Sequence, residues 1–352
     1  MKDLSVAGRL AAAATCIAVI LSACGKSEQA AAPAPYRVYV TNETSGTVTV
    51  IDEPTHTVAA TITLGKRPRG MQASEDGRQL FVALTGSPIA PPGVDEDTLP
   101  PPDKSADGIG IVNTPSLMLA KVLKGANNPE QLALVKGGKL YAPDEDTGAL
   151  TIIEASTGAI LGNVPVGKEP EGVAVSPDGA IAYVTAEGDN ALVAIDLKTN
   201  MVIKRIPVGT RPRSIAFSRD GLRVYVSGEN DASVTAIDAV KREVAGIAKI
   251  PGENAKPMGV AISPDGKRLY VTTGRGGMLV AIDTATMTPQ KSVAVGARPW
   301  GVALSPDGKF AYTANGASND VSIVDTATMT IVAKVKSEGR PWGVTVAPRC
   351  CG

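Results

Sequence analysis

From Tyr36 onward the chain alternates apolar and polar residues in short runs, such as Gly172 to Ser176, Ile181 to Thr185, Ala191 to Asp196 and Val202 to Pro207. No stretch between them carries the 3.6-residue spacing of an amphipathic helix. Period-two alternation puts successive side chains on opposite faces of a sheet, so each run predicts a strand with one buried face. Ser176-Pro177-Asp178-Gly179, Ser263-Pro264-Asp265-Gly266 and Ser305-Pro306-Asp307-Gly308 place Pro and Asp where a type I turn needs them and Gly where φ turns positive, which predicts hairpins. Asp196-x-x-Thr199, Asp283-x-x-Thr286 and Asp325-x-x-Thr328 offer side-chain oxygens to nearby backbone amides and read as structural, not catalytic.

A longer period overlies the alternation. Pro68, Pro129, Pro170, Pro212, Pro257, Pro299 and Pro341 each precede a short apolar strand, with successive gaps of 61, 41, 42, 45, 42 and 42 residues. The unit is about 42 residues, with one insertion of about 20 in the first gap. A second column agrees: Tyr39, Phe81, Tyr141, Tyr183, Tyr225, Tyr270 and Tyr312 recur at the same position and read as core packing beneath a strand. Four strands per unit, repeated radially, make a propeller blade. The N-terminal piece supplies three strands, around Val38 to Asn42, Thr47 to Asp52 and Thr57 to Leu64, and the C-terminal piece, Trp342 to Ala347, supplies one. The expectation is an all-β, seven-bladed β-propeller of four-stranded antiparallel blades, closed by pairing of the N- and C-terminal strands.

Ahead of the repeats, Lys2 and Arg9, the apolar run Leu10 to Leu21, and Leu21-Ser22-Ala23-Cys24 form a lipoprotein signal peptide over residues 1–23. Cys24 is the expected lipidation site, and two lipid signals hold a chain on a membrane where one does not. Gly25 and Lys26, rather than Asp, follow the cysteine, which in a Gram-negative cell implies the outer membrane. Residues 24–35 read as a flexible tether, 36–348 as the propeller and 349–352 as a tail ending in Cys350-Cys351.

Composition narrows the chemistry. The 352 residues carry 35 basic and 35 acidic side chains, so nothing draws the chain generally to a polyanion, and nucleic acid is not an expected partner. One histidine, His56, excludes metal sites that need two imidazoles, and it falls in an outer turn where solvent is expected. No Gly-x-Ser-x-Gly elbow, Walker loop, dinucleotide fingerprint or haem-attachment motif occurs. No metal or cofactor is expected, and the protein is expected to be monomeric.

Tyr39-Val40-Thr41-Asn42, Val50-Ile51-Asp52 and the Ser-Pro-Asp-Gly hairpins resemble the YVTN-type β-propeller repeat family over about residues 36 to 348. Lys66-Arg67-Pro68-Arg69-Gly70, Glu169-Pro170-Glu171-Gly172, Arg211-Pro212-Arg213, Thr313-Ala314-Asn315-Gly316, Ser318-Asn319-Asp320-Val321 and Arg340-Pro341-Trp342-Gly343 are similar to one subgroup. That subgroup is the periplasmic propellers associated with pyrroloquinoline-quinone-dependent alcohol catabolism. The resemblance implies the fold and a periplasmic location, and offers a quinoprotein pathway component as a partner. The same fold hosts lactonases, lyases, haem domains and binding proteins, and the histidines that the lyase, haem and copper versions need are missing.

In a propeller, the turn into the innermost strand and the turn between second and third strands share one face. Arg67, Arg69, Glu130, Glu169, Glu171, Arg211, Arg213, Lys256, Arg298 and Arg340 flank the repeat prolines there, joined by Glu43, Glu145, Glu187 and Glu229 from the second-strand ends. Two readings stand side by side: a ring of arginine forks that grips an anionic ligand, or an inter-blade network of arginine–glutamate pairs. Blades carrying Lys256, Arg298 and Arg340 have Gly274 and Gly316 in the glutamate column, so that sector is expected to be net positive. Trp300 and Trp342 occupy one repeat position in neighbouring blades, as a buried wedge or as an exposed apolar platform. The acidic, proline-rich insertion 86–107 overhangs the same face as a docking arm or gate. The first functional reading is a lipid-anchored, non-enzymatic binding protein for an envelope protein partner or an anionic small molecule. The alternatives are a lactonase- or isomerase-like enzyme using Glu171 or Glu187 as base, and single-stranded nucleic-acid binding.

Overall fold

The computed structural model describes residues 36–89, 94 and 98–349. The expected signal peptide, the expected lipidation site Cys24, the expected tether, Asp95, Glu96 and Asp97 of the insertion, and Cys350-Cys351 lie outside the described residues.

Twenty-eight strands pair into seven antiparallel four-stranded sheets, and no α-helix occurs among the described residues. The first blade joins β1 (Tyr36–Asn42), β2 (Thr47–Asp52) and β3 (Thr57–Thr63) to β28 (Pro341–Pro348), in the order β28-β1-β2-β3. Tyr36 pairs with Pro348 and Val40 with Val344, so the last strand of the chain is the innermost strand of its first blade and closes the ring. The other six blades are consecutive, each led by an inner strand: β4 (Pro68–Ala73), β8 (Ala133–Val135), β12 (Pro170–Val175), β16 (Pro212–Phe217), β20 (Val260–Ile262) and β24 (Pro299–Leu304). Five of the seven repeat prolines open their strand; after Pro129 and Pro257 the inner strand starts later and is only three residues long.

The seven aromatic residues of the Tyr39 column are all buried, where they pack between neighbouring sheets. The hairpins close as their chemistry dictates. Ser263 Oγ donates to Asp265 Oδ1 at 2.6 Å, and Gly266 takes φ +72°.

Near the channel axis the inner strands approach backbone to backbone. A Cβ on Gly172 would lie 2.2 Å from the Arg213 carbonyl oxygen of the next blade, and one on Gly343 would lie 2.5 Å from that of Arg69. A hydroxyl staples the same junction. Thr41 accepts the Gly343 N–H at 2.8 Å and donates to the Arg69 carbonyl at 2.7 Å. Thr185 does the same between Gly172 (2.7 Å) and Arg213 (3.1 Å), and Ser227 between Ser214 (3.0 Å) and the Met258 carbonyl (2.6 Å). These bonds fix, from blade to blade, the residues that follow the repeat prolines.

His56 departs from the expected solvated turn. It lies in the β2–β3 connection but is half-buried, with Nδ1 2.9 Å from a carboxyl oxygen of buried Glu53 and its ring edge-on to Phe310 at 5.7 Å. Closing the ring places the outer end of the first blade against the last, and that contact gives the imidazole a partner no local pattern reveals.

Candidate functional site at the channel mouth

Arg67, Glu169, Arg211, Arg298 and Arg340 each stand immediately before a repeat proline, and each has a positive φ, from 38° to 58°. The ring of the following proline disfavours the right-handed helical region for these residues. Holding a bulky residue in the left-handed region costs about 1–3 kcal/mol. Backbone hydrogen bonds hold it there. The Arg340 carbonyl accepts the Glu43 N–H at 3.1 Å, Glu169 that of Glu187 at 3.0 Å, Arg211 that of Glu229 at 3.0 Å, and Arg298 that of Gly316 at 2.9 Å. Each blade thus sets its pre-proline residue beside its own glutamate-column residue, and repetition around the ring assembles a charged rim.

The rim divides into two networks and a remainder. Glu43, essentially buried, takes Arg67 and Arg340 at 3.0 Å and Arg69 at 3.3 Å, while Arg69 also pairs with Glu130. Three guanidiniums face two carboxylates. In the second network Arg213 pairs with Glu171 and lies 2.8 Å from both Glu187 and Glu229, and Arg211 pairs with Glu187 and lies 3.6 Å from Glu229. Here two guanidiniums face three carboxyls. Arg67, Arg69, Arg211, Arg213 and Arg340 therefore follow the pairing alternative, mostly across blade boundaries.

Burial shapes the charge states. Desolvation pushes the Glu187 carboxyl up to about 7; Arg213 and Arg211 oppose it, and contact with Glu171 adds to it. Burial works on Glu229 the same way, but Arg213 and Arg211 outweigh it and hold that carboxyl below its ordinary value. Burial disfavours charge on Arg213 too, yet three carboxyls hold its proton more tightly than usual. Arg69 is lowered to about 10 by burial and by neighbouring Arg67, and so stays charged at neutral pH.

Arg298 is the exception. Among the described residues no carboxylate lies within ion-pair distance of it; its guanidinium lies 5.0 Å over the Trp300 ring. Burial, then the charges of Arg340 and Arg275, lower its proton affinity. Arg275, in the short turn Gly274–Gly276, is exposed and likewise has no ion-pair partner among the described residues, and Lys256 reaches only the Asn230 side-chain oxygen, at 2.8 Å. Of the sector expected to be positive, Lys256 and Arg298 have no carboxylate partner among the described residues, where Gly274 and Gly316 take the place of glutamate, while Arg340 pairs with Glu43. Arg275 escaped the sequence reading; its signal was the Gly-Arg-Gly that stands where other blades have glutamate.

Trp300 and Trp342 are buried, at 9% and 4% exposure, and stack at 5.9 Å with rings inclined 26°. Of the two alternatives the buried wedge holds, completed by Met258 at the same repeat position and covered on the Trp342 side by Arg69 at 4.9 Å. Neither indole Nε1–H has a hydrogen-bond partner. A funnel of about 930 Å³ opens above, lined by both ion networks, Arg275, Arg298 and Trp300. A smaller cavity of about 130 Å³ in the channel is lined by Trp300, Trp342, Met258, Glu171 and Arg213. Arg67, Arg69, Glu187, Arg211, Arg213, Arg298, Trp300 and Arg340, expected as ligand contacts, line the funnel; Glu171 and Trp342 line only the smaller cavity.

The insertion reaches the funnel through Ser87, Pro88, Val94 and Leu99 to Pro102. Arg67 donates to the Ser87 and Pro88 carbonyls at 3.2 and 3.0 Å, and Lys66 holds Asp103 at 2.6 Å. Asp107 caps the Gly86 and Asn128 amides at 2.7 and 3.0 Å. Two of its acids thus fasten the loop itself.

The family model of the choice-of-anchor I domain matches residues 13–211, more than half of the chain. That of the lactonase family, a seven-bladed β-propeller, matches residues 173–346. Solved structures similar to this chain include Kuenenia stuttgartiensis hydrazine synthase, at 20% identity and a TM-score of 0.70 over 86% of this chain and 99% of that one. A candidate 6-phosphogluconolactonase from Bacteroides fragilis matches at 17% identity and a TM-score of 0.73 over 90% and 98%. A functionally unknown protein from Desulfotomaculum acetoxidans matches at 14% and 0.71 over 88% and 98%. At these identities the likeness is one of fold. No curated protein gives a significant sequence match to the chain.

Proposed function

The chain belongs to the choice-of-anchor I domain family, and from that premise we propose that it binds a small organic anion at its channel mouth while tethered to the cell envelope. One observation carries the reading: in a rim where five arginines are matched by glutamates, Arg298 and Arg275 are not, and the Trp300 ring under Arg298 has an unpartnered indole N–H. Partly desolvated cations set against like charges gain most from an arriving anion, and guanidiniums grip carboxylate or phosphate in a fixed two-pronged geometry. The Leu-Ser-Ala-Cys box supports lipidation of Cys24 and a periplasmic propeller on the outer membrane. The subgroup motifs around Arg211-Pro212-Arg213 and Arg340-Pro341-Trp342-Gly343 support a quinoprotein pathway component, or another envelope protein, as partner.

Native mass spectrometry of the protein, extracted gently from its own membranes, tests both halves. The expected spectrum shows an acylated chain beginning at Cys24 and a small anion that dissociates when Arg298 is replaced by Ala. An unlipidated chain overturns the anchor. A ligand that survives the substitution overturns the site.

A second reading is lactone hydrolysis, favoured by the lactonase-family match over residues 173–346 and by a Glu187 carboxyl that faces the funnel and titrates near neutrality. As a carboxylate, Glu187 would take a proton from water attacking the lactone carbonyl and return it to the ring oxygen as the C–O bond breaks, giving the hydroxy acid. Acid release from a sugar lactone, abolished in Glu187→Gln, distinguishes this enzyme from a binding protein.

A further inference from the structure

The second network has an excess of carboxyls that ion pairing does not explain. Glu171, Glu187 and Glu229 surround Arg211 and Arg213, so with every group ionised the cluster carries three negative charges against two positive. Arg213 Nη1 reaches carboxyl oxygens of both Glu171 and Glu187, which draws these two side chains together. Two carboxylate ions held this close repel, and a proton on one of them relieves the repulsion. Both side chains are about nine-tenths buried, so water does not readily relieve the repulsion. The remaining charges around the pair are Lys168 and Glu169 in the turn against Gly188, and Arg69, which acts on Glu171 across the channel. The first network has the opposite excess: Arg67, Arg69 and Arg340 against Glu43 and Glu130. Holding one proton brings the second network to neutrality and leaves the rim positive towards Arg298.

We infer that Glu187, crowded by Glu171, stores a proton at the mouth, and that binding of an anion in the Arg298 sector draws the proton more fully onto it. The inference rests on the anion-binding reading and adds its regulation. The sign follows from charge: protonated Glu187 does not repel an anion entering the common funnel, and ionised Glu187 does. Affinity therefore falls as pH rises through neutrality, and by reciprocity the bound anion raises the proton affinity of Glu187.

Sulfate is a suitable probe because it remains dianionic from pH 6 to pH 8. Titration calorimetry of the propeller, at each pH in two buffers of different protonation enthalpy, reads affinity and proton uptake together. Wild type is expected to take up a fraction of a proton on binding and to lose about fivefold in affinity from pH 6 to pH 8. Glu187→Gln, whose amide stands in for the protonated acid, is expected to bind at pH 8 as wild type does at pH 6, with no buffer-dependent heat. Binding with no proton uptake and flat affinity in wild type overturns the inference and leaves the anion site standing; absence of sulfate binding overturns the anion site. The stored proton has its own readout, independent of any ligand and of how a variant folds. The infrared spectrum of wild type at neutral pH should contain a protonated-carboxyl carbonyl band that shifts in D₂O and disappears by about pH 9, and its absence overturns the store.

Discussion

Arg213→Met tests the claim that the mouth is held by charge balance, because it removes the one cation common to three carboxyls. The side chain is 11% exposed, and Glu171, Glu187 and Glu229 are 7%, 10% and 14% exposed. Breaking a buried pair by deleting one partner costs about 3–5 kcal/mol, chiefly from the charge left behind. Methionine keeps much of the length and apolar bulk, so the loss is electrostatic. For a domain of this size about 2 °C in Tm accompanies each kcal/mol, so a fall of about 6–10 °C is expected at pH 8. The deficit should shrink as pH falls. In the variant Glu187 loses the cation that most opposes its burial, so its folded-state value rises further above the unfolded one, the folded chain binds more protons, and stability is regained on acidification towards the unfolded value. Arg211→Met is the control: Arg211 is 39% exposed, and its loss is expected to cost no more than about 1 kcal/mol. Differential scanning calorimetry of both variants at pH 5 and pH 8 decides it. Equal melting of the two, or a deficit that does not change with pH, refutes the reasoning.

Other expectations follow from the same geometry. Deleting residues 341–352 removes β28, the inner strand of the first blade, along with Trp342; the cooperative melting transition should be lost, and an unchanged melt contradicts closure of the ring. Gly172→Ala forces a Cβ to 2.2 Å from a backbone carbonyl and should cost about 3 kcal/mol, whereas Gly162→Ala, with nothing within 4 Å, should change stability by less than about 0.5 kcal/mol in denaturant unfolding. Because Glu187 is raised to about 7, wild type should gain stability as pH is lowered from 8 towards the unfolded carboxyl value, and Glu187→Gln should flatten that part of the stability profile.

Most of the fold was legible in the sequence, because a 42-residue period writes each structural requirement several times. The repeat prolines marked where inner strands begin, the Tyr39 column marked the core, and the unequal chain ends marked the closing strand. Residues that share a column were correctly gathered at one face. Their partners were harder to read, since pairing depends on neighbours from other repeats: the alternatives of ligand grip and inter-blade pairing for Arg67, Arg69, Arg211, Arg213 and Arg340 differ by a few ångströms across a blade boundary. The register shift between Pro170 and Val173 recurs after the repeat prolines of other blades, so it does not single out Glu171 and Glu187; they are drawn together by Arg213 of the next blade, a partner that neither column pairs with them. Arg275 and Met258 were missed for opposite reasons, one lying in the turn of a blade that departs from the column, the other being an apolar residue in the tryptophan column.

The central claim is that an anion binds where rim arginines lack carboxylates. Trp300 lies at this site with Trp342, the other tryptophan of the chain, stacked on it, so their fluorescence reports on the site without a label. Sulfate titrated into wild type should change tryptophan emission saturably, the Arg275→Ala/Arg298→Ala double variant should show no saturable response, and Arg211→Ala should retain one. A response that survives in the double variant, or is absent from wild type, contradicts the account.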